Sequence, residues 1–239
     1  MSTLFISDLH LEENRPDMTA IFINFMKNQA VNADALYILG DFFEFWVGDD
    51  DKSAFADTIR NTLLEATNQG LPIYILHGNR DFLLRKKFFR ATGCQLLAEE
   101  TVINLYGVPT LLMHGDTLCI EDVAYLKARR YVRNWLVQTI FLMKSFEKRK
   151  TIVMGYRHAS KTHTSTAPES IMDVTQTEVE RIMQKHRVQD LIHGHTHRQA
   201  QHSFQLNGQP ATRTVLGAWH ERGNVLVCGP NESREFMDL

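Results

Sequence analysis

Five short apolar runs along the chain each break off into a polar cluster. They are Leu4 to Ser7 before Asp8, Leu36 to Leu39 before Gly40-Asp41, Ile73 to Leu76 before His77-Gly78-Asn79, Leu111 to Met113 before His114-Gly115-Asp116, and Leu191-Ile192 before His193-Gly194-His195. Continuous apolar runs of this length, bounded by glycine and polar residues, predict strands buried on both faces. Between them, helical spacing predicts helices over Ala20 to Ala30, Phe55 to Thr67 and Val174 to His186, the last opened by Asp173 and Gln176 at capping-box spacing. Strand, helix and strand in alternation predict an α/β sheet. In such sheets ligands gather beyond the carboxyl ends of the strands, where all five clusters fall. Further short strands, Ile103 to Tyr106, Thr212 to Leu216, Val225 to Cys228 and Arg234 to Met237, with Asn207-Gly208 as a turn, predict a second sheet.

The clusters hold what a pair of divalent cations needs: carboxylate, amide and imidazole donors, with one ligand able to bridge. Asp8-x-His10 puts two donors on one side of an extended segment. Gly40-Asp41 supplies a two-oxygen carboxylate, the candidate bridge, behind a glycine that permits close backbone approach. Asn79 and His114 suit a second ion, and His195 and His197 share a face while each can turn to a different metal. A lone Asp-x-His or His-Gly-Asp is usually an ordinary loop, but five such clusters, each after an apolar run, form a specific set. His77, His193 and His220 match no ligand position and suit packing or support. Asp81 and Asp116 are candidates to orient ligand imidazoles.

The order Asp-x-His, Gly-Asp, Gly-Asn, His-Gly-Asp, Gly-His-x-His resembles that of the calcineurin-like metallophosphoesterases, over nearly the whole chain. Within them, the chain resembles the UDP-2,3-diacylglucosamine hydrolases. The residues are Gly78-Asn79-Arg80-Asp81-Phe82-Leu83 where most of the superfamily has Gly-Asn-His, Tyr37-Ile38-Leu39-Gly40-Asp41, Trp46, Gly48-Asp49-Asp50, His114-Gly115-Asp116-Thr117-Leu118-Cys119, Ile171-Met172-Asp173-Val174, and Leu191 to Arg198.

That resemblance implies a four-layer α-β-β-α sandwich formed by residues 1–120 and 170–239, with a helical cap inserted at 121–169. It implies two Mn2+ ions, one on Asp8, His10, Asp41 and His197, the other on Asp41, Asn79, His114 and His195. The implied reaction is attack of metal-activated water on the uridylyl phosphorus of UDP-2,3-diacylglucosamine, giving UMP and 2,3-diacylglucosamine 1-phosphate (lipid X) in lipid A biosynthesis. Asp41, Asn79, Arg80, His114 and His195 are the implied catalytic residues. The implied substrate contacts are Asn79, Arg80, Asp122, Ser160 and His195, with Tyr125 and Thr164 beside them. Ala167 stands where the family places a phosphate-directed Lys, and Lys161 or His163 is the alternative. For Arg80 two readings stand: a grip on the diphosphate, or a partner of Asp81.

Between Lys127 and Lys161 there are ten basic residues and one acid, a charge of +9 in a chain whose net charge is -2. There Trp135-Leu136-Val137, Ile140 to Met143 and Phe146 form an apolar stripe flanked by Arg129, Arg130, Arg133 and Lys148-Arg149-Lys150, a membrane-surface pattern. With an acylated substrate implied, it predicts an acyl-chain cleft and peripheral attachment to anionic lipid on the cytoplasmic side of the inner membrane. The aromatic residues are not interleaved for base stacking, which argues against nucleic acid. The start of the chain lacks the pattern of a signal peptide, and Cys94, Cys119 and Cys228 lack metal or disulfide spacing. A broad-specificity metal-dependent nucleotide phosphodiesterase is the rival activity. No residue pattern names a protein partner.

Overall fold

In the computed structural model, residues 2–166, 173–231 and 233–239 are described, with the backbone alone for 158–166. The chain runs β1 (Thr3–Ile6), α1 (Pro16–Asn28), β2 (Ala35–Ile38), α2 (Ala54–Asn68), β3 (Ile73–Ile75), α3 (Lys86–Thr92), β4 (Gln95–Leu96), β5 (Thr101–Leu105) and β6 (Val108–Met113). Then come α4 (Val123–Val132), α5 (Trp135–Leu142), α6 (Phe146–Thr166), α7 (Gln176–His186), β7 (Asp190–His193), β8 (Ala200–Leu206), β9 (Gln209–Val215), β10 (Asn224–Cys228) and β11 (Arg234–Asp238).

Two sheets form, of six strands in the order β11-β10-β1-β2-β3-β4 and of five in the order β5-β6-β7-β9-β8. The strands β1 to β4 are parallel, as are β6, β7 and β9. Alternate residues of each strand face different layers. Leu36 and Ile38 pack outward with Phe22 and Phe25 of α1, Ile59 and Leu63 of α2 and Phe88 of α3. Phe5, Leu39, Leu76, Leu112, Ile192, Leu216 and Leu226 form the seam between the sheets. Leu111, Met113 and Leu191 pack outward with Val179, Ile182 and Met183 of α7. Both faces are covered, so these strands read as unbroken apolar runs. Each side chain buried in this way contributes about 1.5–3 kcal/mol.

Several expectations are corrected. The motif strands do not share one sheet: β1, β2 and β3 lie in the first, β6 and β7 in the second, and β10 and β11 join the first through β1. Helix α7 starts at Gln176 with Thr175 as its cap residue, and the Asp173 carboxylate accepts from Val174 N instead of forming a capping box. The short α3 and β4 have too little periodicity to be expected. The turn at Asn207-Gly208 does join β8 to β9, with φ of 54° and 76° that match a two-residue hairpin.

Between β6 and β7 lie α4, α5 and α6. The apolar stripe is split, Trp135 to Leu142 forming α5 and Phe146 opening α6. Several arginines expected beside the stripe point inward. Arg129 Nε donates to Asp116 Oδ2 at 2.7 Å, Arg133 Nη2 to Gly78 O at 2.8 Å, and Arg149 Nη1 to Val47 O at 2.6 Å, with Asp50 as its carboxylate partner. Outside remain Tyr131, Trp135, Leu136, Ile140, Met143, Met154 and Tyr156, all more than half exposed.

Candidate metal centre

Beyond their strands, the loops after β1 and β2 run side by side. Asp8 N donates to Gly40 O, His10 N to Asp41 O and Leu11 N to Phe42 O, at 3.1, 3.1 and 3.0 Å. Their approach to the loop after β3 depends on Gly40, whose φ is +89°; a Cβ there would stand 2.6 Å from Gly78 Cα and 2.7 Å from His114 Nδ1.

The convergence of donors does not follow from extended backbone, as the Asp8-x-His10 spacing suggested. Asp8, His10, Asp41, His195 and His197 all have positive φ, between 48° and 70°, and only three other non-glycine residues among those described do. Each such residue is held at roughly 1–2 kcal/mol above a right-handed conformation. Strain concentrated in this way marks a site the surrounding structure over-determines.

His197 Nε2 lies 3.3 Å and His10 Nε2 4.0 Å from Asp8 Oδ1, and the two imidazole nitrogens are 3.2 Å apart. On the other side, His114 Nε2 lies 2.9 Å from Asn79 Oδ1 and 3.7 Å from Asp41 Oδ1, while His195 Nδ1 lies 3.1 Å from Asn79 Oδ1. Asp8, His10 and His197, and Asp8, Asp41 and His114, each bring ligand atoms within 4.8 Å of one another.

The donor set fits divalent cations. Asp8 is fully buried; its Oδ2 accepts from Ser7 Oγ at 2.6 Å and from His195 N at 2.9 Å, while Oδ1 has no hydrogen-bond donor. A buried carboxylate oxygen without a donor costs several kcal/mol unless a cation faces it. Burial would raise the Asp8 pKa, but the neighbouring imidazoles of His197, His114 and His10 hold it well below the usual carboxylate range. Leu39 O accepts from His114 Nδ1 at 2.9 Å, which leaves the Nε2 lone pair on the side of Asp41 and Asn79 for a cation. Burial, reinforced by His114, lowers His195 to about 4, so its imidazole is neutral and able to ligate.

The expected supports are placed differently. Asp81 orients no imidazole: it accepts from Gly78 N and Phe42 N, both at 2.8 Å, and so pins the loops that carry Asn79 and Asp41. Burial, and then the charge of Asp41, raises it to about 7. Asp116 accepts from Tyr125 Oη and Arg129. Glu44 faces His10, with its Oε2 3.2 Å from His10 Nδ1. No motif contains Glu44, but a lone carboxylate in the aromatic run Phe42-Phe43-Glu44-Phe45-Trp46 is a signal that could have found it.

Arg80 pairs with Asp41, Nε to Oδ2 at 3.2 Å, and with Glu44, not with Asp81. Tyr125 is stacked beside His195 with ring centroids 6.4 Å apart. Asp122 caps α4, its Oδ1 accepting from Tyr125 N at 2.9 Å. His77, His193 and His220 sit respectively at Leu84 O, at Gly194 O with Arg213, and beside the His197 ring. Ser160 and Thr164, with Lys161 and His163, lie on α6 outside the residues whose side chains are described, and Ala167 lies outside the described residues.

A sequence model of the calcineurin-like phosphoesterases matches residues 1–199, and the chain belongs to that family. Within it the chain is similar over its length to proteins named UDP-2,3-diacylglucosamine hydrolase, and it belongs to the hydrolase family they form. The relative from Photobacterium profundum is 48% identical over 100% of this chain and 99% of its own. That from Vibrio atlanticus is 50% identical over the same shares. That from Pseudomonas aeruginosa is 48% identical over 98% of each.

Proposed function

We propose that the chain hydrolyses the diphosphate of UDP-2,3-diacylglucosamine to UMP and 2,3-diacylglucosamine 1-phosphate, a step of lipid A biosynthesis, with water attacking the uridylyl phosphorus. The observation that carries this reading is the convergence of two donor groups, Asp8 with His10 and His197 and Asp8 with Asp41 and His114, with Arg80 laid against Asp41. Asp8, His10, Asp41 and His197 would hold one ion and Asp41, Asn79, His114 and His195 the other, Mn2+ in both on the family resemblance. Such a pair supplies a water acidic enough to react near neutral pH and neutralises charge on the phosphate.

The chain's own groups do the rest. The imidazoles of His114 and His195 stay fixed through Leu39 O and Asn79. Arg80 neutralises phosphate oxygens with the donors left over from Asp41 and Glu44. No acid is needed for departure, because the leaving group is a phosphate whose last pKa is about 6. Burial, reinforced by Asp116, pushes the Tyr125 hydroxyl far up, so Tyr125 keeps its proton and acts as a wall beside His195. The second oxygen of Asp122 is available to a sugar hydroxyl. Ser160 and Thr164 on α6 remain proposed contacts.

The insert at 121–169 is the proposed lipid-facing part, acting at the cytoplasmic surface of the inner membrane. Its exposed Trp135, Ile140 and Met143 support insertion among acyl chains, and Lys127, Arg130 and Lys148 are exposed beside them. Among the described residues no helix is long and apolar enough to cross a membrane.

The test compares hydrolysis of UDP-2,3-diacylglucosamine with that of an aryl phosphodiester, both in Mn2+. A kcat/KM at least a hundredfold higher for the nucleotide lipid supports the proposal. Preference for the aryl ester makes the protein a broad phosphodiesterase instead.

A further inference from the structure

Outside every motif, one carboxylate joins three separate parts of the molecule. Glu44 Oε2 faces His10 Nδ1 at 3.2 Å and also pairs with Arg80 Nη1, while Oε1 pairs with Arg157 Nη2 of α6. Arg157 Nη1 donates in addition to Glu44 O at 2.7 Å, so this arginine grips both the backbone and the side chain of the same residue. Glu44 is itself fixed by its N–H, which donates to Leu11 O at 3.0 Å. From the structure we infer that Glu44 is a positioning residue that sets the His10 imidazole at the cage and seats the insert, through Arg157, beside Arg80.

Two guanidiniums with a shared counter-ion define the geometry. Arg80 and Arg157 repel each other; burial and then the Arg80 charge lower the Arg157 pKa. Only a carboxylate that uses both oxygens can keep them side by side. A histidine ligand whose far nitrogen meets a carboxylate is held in one ring orientation and made more basic, and loss of such a partner weakens metal binding about 10–100-fold. Through Glu44, Arg157 is one residue removed from His10. The seating of the lipid-facing helices is thereby tied to the same side chain that orients a ligand.

The inference rests on the proposed two-ion site, and the test separates the two. Glu44→Ala, Glu44→Gln and Arg157→Gln are titrated with Mn2+ by calorimetry, KM and kcat are measured on UDP-2,3-diacylglucosamine, and thermal unfolding checks folding. Wild type is expected to bind two ions. Glu44→Ala should weaken one of them about 10–100-fold and leave the other unchanged. Glu44→Gln, which keeps an acceptor for His10, should lose less ion affinity yet raise KM as much as Ala. Arg157→Gln should raise KM severalfold with ion binding intact, and adding Glu44→Gln to it should raise KM little further. If both Glu44 variants bind two ions as wild type does with unchanged KM, the inference is overturned. If the Glu44 variants fail to fold, Arg157→Gln decides: unchanged KM overturns it. If wild type itself binds fewer than two ions, the metal-site reading fails, not this one.

Discussion

At Asp8, His10, Asp41, His195 and His197 the backbone is held left-handed, and the same five residues are candidate ligands. The summed strain, about 5–10 kcal/mol at the per-residue values for L-amino acids, rivals the net stability of a typical domain. Packing and the neighbouring glycine must therefore hold these loops. Replacing Gly40 by Ala forces a Cβ into the contact with Gly78 and His114 at an unfavourable φ. We expect a loss of about 3 kcal/mol or more in urea unfolding, with Mn2+ affinity falling in parallel. Arg80→His removes a planar, always charged donor fork and should lower kcat/KM on the diphosphate about a hundredfold; full activity would show that Arg80 does not grip phosphate. The ligand types were legible at this scale because each cluster followed an apolar run. The way they converge was not. Residue spacing assumes a regular backbone, and here the φ angles are irregular. Glu44 was hidden for another reason, since its partners lie 34, 36 and 113 positions away.

The helices of the insert divide their duties by face. Arginines of α4, of its C-cap and of α6 reach inward to Asp116, Gly78, Val47 and Glu44, while the apolar side chains of α5 and its flanks are largely exposed. The +9 charge of the segment therefore overstates what a membrane would meet. Exposed Lys127, Arg130 and Lys148 are worth about 1 kcal/mol each near an anionic surface, whereas burying Trp135, Ile140 and Met143 is worth about 1.5–3 kcal/mol apiece. Apolar insertion should dominate. Changing Trp135, Ile140 and Met143 together to Ser should abolish sedimentation with anionic vesicles, while raising salt should only weaken binding of the wild type severalfold. Binding lost to salt but kept by the triple variant would reverse that order. The stripe itself was legible as helical, but its division into α5 and α6 was not. The break falls at Met143 to Ser145, which carry neither Gly nor Pro to mark it.

For the molecule as a whole, the proposed ions stabilise what the carboxylates destabilise. Asp8, Asp41, Asp81 and Asp116 are all buried within one small region, and a ligand bound only to the folded state adds about 2.7 kcal/mol per site at a hundredfold excess over Kd. Adding Mn2+ to chelator-stripped protein should therefore raise the melting temperature by roughly 10 °C or more, since about 1 kcal/mol moves a domain of this size by 2–4 °C. The α/β class and the second sheet were legible from apolar runs and turns. Which strand joins which sheet was not, because strands covered on both faces carry no label, and β10 reaches β1 only through pairing across more than 200 residues. The central proposal, metal-dependent attack of water on the uridylyl phosphorus, is tested most directly by one measurement. UDP-2,3-diacylglucosamine is hydrolysed in 18O-water with Mn2+, and both products are weighed by mass spectrometry, with a chelator-treated sample alongside. One 18O in UMP, none in the diacylglucosamine 1-phosphate, and no turnover with chelator are expected. Label in the sugar phosphate, turnover without divalent ions, or no hydrolysis at all would contradict it.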